Sequence, residues 1–306
     1  MIVPGIFLAR DFSAIEGVLV GYLCGSRRVT RLAKLGVHDW YMAHALLYPQ
    51  GLITAADLPN VEWPDVDLRL CLKTLKARFA GDGGPLSPRA VSKRVVYLSF
   101  YAGTPGKMHE EYPDSFRTRR DAAIQQAKLF ELLPEIPEWH WRLCKEVDKS
   151  SVCKAPDGFI HRYYRVLAWS KKGDTWEPEM TDDAKRLIAF QPQHLAAKIG
   201  KDAMKRVYYG EDGMALARRI NPRWHPVTPE NWNLRTVFAH PFLRLFIHDE
   251  LLCEVPTVFV DRLDQILKDA MEQPCPDLPM DPTWNMGSHL VVGTEAKRGR
   301  TWATMA

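Results

Sequence analysis

Two short apolar segments, one near each end of the chain, finish at an acidic residue, and together they place the strongest constraint on the fold. Residues 5–10 are predicted to form a strand leading into Asp11, and residues 242–255 a hairpin whose tight turn presents Asp249. Either aspartate alone is more often a turn residue or a helix cap. Facing each other at a rigid sheet edge, they would supply the oxygen ligands that a hard divalent cation prefers.

A helix with a distinctive face is predicted at residues 87–103. Ser87 is a suitable N-cap, and Pro88 stands at the first helical position, where its missing N–H has no cost. Four side chains recur every fourth residue and therefore share one face: Arg89, Lys93, Tyr97 and Tyr101. Cations followed by aromatic rings suit a nucleoside triphosphate, because the cations neutralise phosphate oxygens and the rings pack against sugar and base. A solvated basic face with aromatic residues in a core is the alternative.

Taken in order, these segments resemble motifs A, B and C of family A (polymerase I-like) DNA polymerases. The matching stretches are Asp-Phe-Ser-x-Ile-Glu from Asp11, Arg-x3-Lys-x3-Tyr-x3-Tyr-x-Gly from Arg89, and His-Asp-Glu from His248. Residues 191–197 are similar to the family's Pro-x-Gln-x-x-Ala-Ala stretch, and residues 290–302 look like its closing strand and tail. The resemblance therefore covers residues 5–302, and the shared order makes coincidence a poor explanation.

The resemblance implies an α+β protein with the polymerase right-hand fold, in which helices back an antiparallel palm sheet and a mainly helical fingers subdomain follows. The palm would comprise residues 1–26, with motif A, and residues 181–306, with the Gln193 helix, the motif C hairpin and the C-terminal tail. The fingers would comprise residues 27–180, with the motif B helix and a return hairpin. The implied activity is template-directed DNA synthesis. Its partners would be primer-template DNA and a dNTP, and its cofactor two Mg²⁺ ions.

Motifs A and C would supply the metal site. By the resemblance, Asp11 and Asp249 are metal ligands, the Phe12 carbonyl contributes, and Glu250 is a nearby carboxylate of lesser importance. Glu16 matches the family's steric gate, whose side chain occupies the space that a ribose 2′-hydroxyl would need.

Motif B would bind the nucleotide. Lys93 would bind the triphosphate and protonate the departing pyrophosphate, Arg89 would hold the γ-phosphate, and Tyr101 would stack near a base. Ser13 is also expected at the nucleotide. Tyr97 is the variant that the family associates with acceptance of dideoxynucleotides, because a phenol hydroxyl can replace the missing 3′-hydroxyl as a hydrogen-bond partner.

Three further residues are expected at the DNA. Gln193 would touch the minor groove of the primer-template, His248 would lie by the primer 3′ end, and Arg186 would contact the duplex. The chain also departs from the family, since Ala102 displaces the usual glycine by one place and Ala189 stands where a polar residue is common.

Two other functions fit part of the pattern. A single-subunit RNA polymerase shares the palm layout but has no need of a bulky acid at Glu16. A non-catalytic DNA-binding or scaffold subunit could keep a polymerase shape, although it has no use for Asp11 and Asp249, whose charges repel each other when no cation is bound.

The position of Asp11, so soon after Met1, predicts that a thumb and an editing exonuclease are absent from this sequence. We expect a companion polypeptide to supply them, as in a split polymerase, for example one from a phage; a truncated piece of a longer protein is the alternative.

Residues 208–241 have no assignment. The net charge of +4 among 306 residues is too small to indicate nucleic-acid binding. The six cysteines lack zinc-ligand spacing, and no segment predicts membrane insertion, so a cytoplasmic setting in a bacterial or virally infected host cell is expected.

Overall fold

The structure, a computed structural model, describes residues 5–79, 81, 84–228 and 240–301. It divides into two compact units, which we call the sheet unit and the helical unit. The sheet unit comprises Met1–Ile15 and His194–Ala306, and the helical unit is the continuous segment Glu16–Gln193. These boundaries differ from the predicted ones at residues 26 and 180, and the assignment to palm and fingers stays a prediction.

The helical unit is one continuous stretch of the chain, and the sheet unit is formed by the segments before and after it. A π-helical turn, Met42–Leu47, directly follows the third helix. In chain order the elements are β1 (Gly5–Phe12), α1 (Ile15–Cys24), α2 (Arg27–Leu35), α3 (Val37–Tyr41), α4 (Asp65–Phe79), α5 (Pro88–Phe100), α6 (Pro105–Glu111), α7 (Arg119–Leu132), α8 (Glu135–Ser150), β2 (Val152–Lys154), β3 (Ile160–Arg162), β4 (Leu167–Lys172), β5 (Thr175–Met180), α9 (Asp182–Tyr209), α10 (Glu211–Ile220), β6 (Leu243–Ile247), β7 (Glu250–Pro256), α11 (Val260–Met271) and β8 (Thr294–Gly299).

The sheet unit is built on a four-stranded sheet of order β6-β7-β1-β8. All three neighbouring pairs are antiparallel, as predicted for the palm sheet. Strand β1 lies inside the sheet, with Leu8 and Ala9 almost fully buried, because an apolar strand gains most from partners on both edges. The predicted strand at residues 5–10 and the predicted hairpin at residues 242–255 are therefore neighbours in the structure.

Helix α11 backs the sheet and has the bounds predicted from sequence. Leu263 and Leu267 on this helix are fully buried. Arg10 is buried too, at 6% exposure, and its Nε donates to Asp264 Oδ1 at 3.1 Å while its Nη1 donates to Thr294 Oγ1 at 2.6 Å. This arginine ties β1 to α11 and β8, and since side chains alternate along a strand, Asp11 points to the other face of the sheet.

Helix α5 begins as predicted and ends earlier than predicted. The Ser87 hydroxyl accepts from the Ala90 N–H at 3.2 Å, and Pro88 is the first helical residue. The helix stops at Phe100 rather than continuing to residue 103, because Ala102 takes a left-handed conformation, with φ of 53°. The Gly103 N–H then donates to the Leu98 carbonyl at 2.7 Å, which closes the helix end in the manner of a Schellman motif.

Two hairpins follow α8 where the sequence predicted one. Strands β2 and β3 flank the expected turn at residues 156–158. Strands β4 and β5 form a second hairpin that was not predicted, with Lys172 paired to Thr175 across a turn of Gly173 and Asp174. Gly173 has φ of 61°, and a Gly-Asp pair between alternating residues is a recognisable hairpin signal.

Helix α9 begins at Asp182 as predicted and continues beyond residue 206 to Tyr209. All six cysteines are free thiols. Within the described part of the chain, no helix combines the length and the apolarity that a bilayer crossing requires. Asp82 and Gly83, part of the glycine-rich segment before α5, lie outside the described residues, as do residues 229–239 of the unassigned segment and the tail from Trp302 onwards.

Candidate functional site

The sheet unit carries a group of three acidic residues, called here the acidic cluster: Asp11, Asp249 and Glu250. Asp11 at the end of β1 is directly opposite Glu250 at the start of β7, and directly opposite residues share a face of the sheet. The Phe12 N–H donates to the Asp249 carbonyl at 3.2 Å, which fixes the β6-β7 turn against β1. The pairing of β1 with the hairpin therefore brings Asp11 and Asp249 together, and their role as metal ligands stays a prediction.

The turn that presents Asp249 is short and strained. Ile247 pairs with Glu250, so only His248 and Asp249 connect the two strands. His248 has φ of 54°, in the left-handed region that favours glycine and that costs other residues about 1 kcal/mol or more. The surrounding strand pairing holds this conformation, and backbone strain of this kind is common at functional sites.

The electrostatics of the acidic cluster favour binding of a cation. Burial raises the pKa of Asp11 to about 6, with a further contribution from the negative charges of Asp249 and Glu250 and an opposing effect of Lys297. The Lys297 ammonium lies 3.8 Å from Glu250 Oε2. The Oδ1 atom of Asp11 is buried and accepts no hydrogen bond from the described residues. One ammonium group against three carboxylates leaves the cluster short of positive charge.

The donor set of the acidic cluster fits Mg²⁺ that is bound jointly with a substrate. In the described residues, no group of three or more His, Cys, Asp or Glu side chains is arranged to hold an ion by itself. Mg²⁺ commonly uses only one or two carboxylates, and water and substrate phosphates complete its octahedral shell. The carboxylates of Asp11, Asp249 and Glu250 repel each other, and Asp11 Oδ1 has no hydrogen-bond partner among the described residues. They can therefore supply the one or two carboxylate ligands that Mg²⁺ needs.

The helical unit carries the predicted face of α5. Arg89 Nε donates to Asp39 Oδ1 at 3.0 Å, and the Asp39 side chain is largely buried. No described residue uses the two terminal nitrogens of Arg89. Asp39 thus holds the guanidinium in one orientation and leaves its two terminal nitrogens able to bind two oxygens of an anion such as phosphate.

Further along the same face, a cation is followed by two rings. Lys93 is exposed and forms no ion pair within the described part of the chain. Tyr97 is 47% exposed, and its ring meets that of Tyr101 edge to face at 5.3 Å. Burial lowers the pKa of His38 to about 4, with a further contribution from the charges of Arg89 and Lys93. His38 therefore remains neutral at physiological pH and adds no positive charge.

Tyr101 and Glu16 are neighbours in the helical unit. The Tyr101 hydroxyl is buried and makes no hydrogen bond of normal geometry with the described residues. Burial raises the pKa of this phenol well above its ordinary value, and the adjacent Glu16 carboxylate raises it further. The two side chains expected to contact the nucleotide's sugar and base therefore lie together.

The remaining predicted residues are spread along the chain's elements. Gln193 is exposed on α9, whereas its neighbour Gln191 is buried and donates to Cys153 Sγ at 3.3 Å. Arg186 is exposed and pairs with Asp183 on the preceding turn at 3.1 Å. The Ser13 N–H donates to the Gly293 carbonyl at 2.8 Å.

Sequence reasoning missed two residues of these sites, Asp39 and Lys297. Asp39 lies in a short helix far from Arg89 in the sequence, and Lys297 lies on a closing strand whose partner strand is near the other end of the chain. Neither belongs to a local motif. Only the strand register and the helix packing place them beside the predicted residues.

Comparison with known proteins gives support at the level of fold. No family model and no curated protein matches this sequence. Among solved structures, the chain is similar to the POL domain of Pol1 from M. smegmatis, which was solved in complex with DNA primer-template and dNTP. The TM-score is 0.57 at 15% sequence identity, and the match covers 98% of this chain and 40% of that chain. The chain therefore spans well under half the length of the polymerase domain chain that it resembles.

Proposed function

We propose that this protein is the catalytic subunit, or a catalytic part, of a template-directed DNA polymerase. In this reaction the primer 3′-hydroxyl attacks the α-phosphate of a dNTP, a P–O bond forms, and pyrophosphate leaves. The observation that carries the proposal is the acidic cluster, in which Asp11 and Asp249 converge at one end of the sheet and an Asp11 oxygen has no partner among the described residues. The likeness in fold to a polymerase domain agrees with this function.

The acidic cluster would be the catalytic centre. Asp11 and Asp249, with the Phe12 carbonyl, would hold two Mg²⁺ ions, and Glu250 would add negative charge. Bound there, the ions would lower the pKa of the attacking hydroxyl and neutralise charge on the leaving oxygens. The protein's own contribution is rigidity, since the strand pairing fixes Asp11 and the strained turn fixes Asp249.

The face of α5 would bind the triphosphate. Arg89, held by Asp39, would bind the γ-phosphate through its two terminal nitrogens. Lys93 would neutralise the phosphates and donate a proton to the departing pyrophosphate. Tyr97 and Tyr101 would pack against the nucleotide, and Ser13 would contact it as well.

Glu16 would make the enzyme selective for deoxynucleotides. Its carboxylate lies beside the Tyr101 phenol, and a ribose 2′-hydroxyl in that space would meet a steric clash and an unpaired polar group. This observation favours DNA synthesis over RNA synthesis. We expect Glu16→Ala to increase ribonucleotide incorporation relative to deoxynucleotide incorporation, whereas an unchanged ratio would remove Glu16 from this role.

The wider DNA contacts and a companion chain complete the proposal. His248 would lie by the primer 3′ end, and Gln193 and Arg186 would contact the primer-template. The sheet unit would serve as the palm and the helical unit as the fingers. A companion polypeptide would supply the thumb and an exonuclease, so the isolated chain would hold DNA weakly.

Primer extension with Mg²⁺ tests the proposal. The chain is assayed alone and with candidate companions, and each assay is repeated with Asp249→Ala. Asp249→Ala removes a metal ligand, and the bound metal would supply several kcal/mol of transition-state stabilisation. The rate of primer extension should therefore fall by about a thousandfold or more. Glu110→Ala, which removes an exposed carboxylate from the helical unit, is the matched control and should retain activity. Activity that survives Asp249→Ala would reject the site.

A further inference from the structure

The hairpin β4-β5 and the segment just before it expose large aromatic side chains. Tyr164 is 79% exposed, Trp169 64% and Trp176 62%. Of the fourteen large apolar side chains that the described residues expose, five fall within residues 159–176. Scattered exposed apolar residues need no explanation, but a concentration of aromatic ones marks a contact surface.

The strand register sorts these residues by face. Trp169 pairs with Pro178, and Lys171 pairs with Trp176. Directly opposite residues and every second residue share a face, so these four side chains lie together on what we call the tryptophan face. Trp169 and Trp176 are diagonal neighbours, about 7 Å apart at their Cβ atoms.

The carboxylates of the hairpin strands lie on the opposite face. Glu177 pairs with Ser170 and Glu179 with Ala168, both out of step with the tryptophans. Asp174 is the remaining acid and lies in the turn. Among the paired positions of the tryptophan face, Lys171 is therefore the only charged residue whose side chain the structure describes.

Three cations on the hairpin and on the segment before it have no ion-pair partner among the described residues. Arg162, Arg165 and Lys171 are exposed, and none of them forms an ion pair with a described residue. Side chains of this type are well placed to bind an external anion, because no internal carboxylate has to be displaced first.

We propose that the tryptophan face binds single-stranded nucleic acid, together with the exposed Arg162, Tyr164 and Arg165 of the segment that leads into the hairpin. Unpaired bases stack on exposed aromatic rings regardless of sequence, and neighbouring cations follow the phosphates. A protein partner would also use tryptophan and tyrosine, but Lys171 on the same face as the rings, and the two exposed arginines just before the hairpin, favour a polyanion that has flat bases. The proposal goes beyond the polymerase reaction and does not depend on it. If the polymerase function holds, the strand bound here is unpaired template.

Binding of a fluorescent single-stranded oligonucleotide to the full chain, followed by anisotropy at several salt concentrations, tests the proposal. The double variant Trp169→Ala with Trp176→Ala should weaken binding about fivefold or more for each ring removed. Lys171→Ala should weaken binding and make its salt dependence shallower, since one phosphate contact is lost. A blunt duplex of equal length should be little affected by the tryptophan variant, because its bases are not free to stack.

Two controls separate this surface from other features. Val66→Ala with Leu70→Ala removes comparably exposed apolar side chains from α4 and should leave oligonucleotide binding unchanged. Asp249→Ala should abolish primer extension and leave the tryptophan-dependent binding intact, so the two proposals fail independently. Equal oligonucleotide affinity for the tryptophan variant and the unmodified chain overturns the proposal. An equal loss of oligonucleotide binding in the α4 control also overturns the proposal. A tryptophan variant that loses only self-association overturns it too, because that result would identify a protein contact instead.

Discussion

Replacing Asp11 by asparagine should make the metal-free protein more stable at neutral and alkaline pH. Asp11 is half-buried beside Asp249 and Glu250, and its ionised form repels both. Asparagine has nearly the same shape and no charge, so the variant keeps the packing and removes the repulsion. A charged residue that lowers stability at neutral pH is typical of a functional site.

The size of the effect follows from the difference in pKa. The pKa of Asp11 rises from 3.8 to about 6 on folding, and about 1.4 kcal/mol for each pKa unit sets an upper value of ~3 kcal/mol. Asp11 is only partly buried, so solvent screening reduces this to about 1–2 kcal/mol. A raised folded-state pKa means that the favourable contribution is complete below 3.8 and is lost as the pH rises through about 6.

Urea unfolding in the presence of a chelator measures this effect at about pH 4.5 and about pH 8. The free energy of unfolding of Asp11→Asn should exceed that of the unmodified chain at the higher pH, and the gap should narrow at the lower pH. Asp174→Asn removes an exposed carboxylate from a turn and should show no such pH-dependent gap.

Magnesium provides the counterpart of this measurement. Added Mg²⁺ should stabilise the unmodified chain more than Asp11→Asn, because ligand binding to the folded state raises its stability. An Asp11→Asn variant that is less stable than the unmodified chain at about pH 8 without divalent cations would refute the reasoning.

Four further substitutions have defined outcomes. Gly21→Ala should lower the free energy of unfolding by about 2 kcal/mol, since the added Cβ would lie 2.4 Å from a backbone nitrogen, and this clash outweighs the gain in helix propensity. Ala102→Gly should raise it by about 0.5–1 kcal/mol by relieving the left-handed conformation, and thermal unfolding measures both. Asp39→Asn should raise KM for dNTP about fivefold with little change in kcat, whereas an equal fall in kcat would contradict a purely orienting role. Tyr97→Phe should reduce chain termination by dideoxynucleotides in primer extension, and strong, equal discrimination in both proteins would disprove the expectation.

Local sequence signals were sufficient to predict the elements that carry the two sites. Ser87 and Pro88 mark the start of α5 through hydrogen bonding and backbone geometry that depend only on neighbouring residues. The apolar runs before Asp11 and Asp249 likewise predict strands, and the buried sheet interior enforces their pairing. These features could be predicted because each involves only a few consecutive residues.

Other features could not be predicted because they depend on exceptions or on distant contacts. The end of α5 was misplaced because alanine, at Ala102, adopts the left-handed conformation that glycine usually marks. The β4-β5 hairpin does have a local signal in Gly173 and Asp174, but such a pair also occurs in turns that join no strands. The ion pairs of Asp39 and Lys297 join segments whose proximity is decided only by tertiary packing.

The order of the strands has a consequence for synthesis on the ribosome. Strand β1 is made before the whole helical unit, yet both of its neighbours, β7 and β8, are made after it. The helical unit is continuous and can fold while translation proceeds, whereas β1 must wait for its partner strands, with its apolar side chains exposed and its backbone open to pairing with other chains. A nascent chain of this topology would benefit from a chaperone that shields this strand until its last partner emerges.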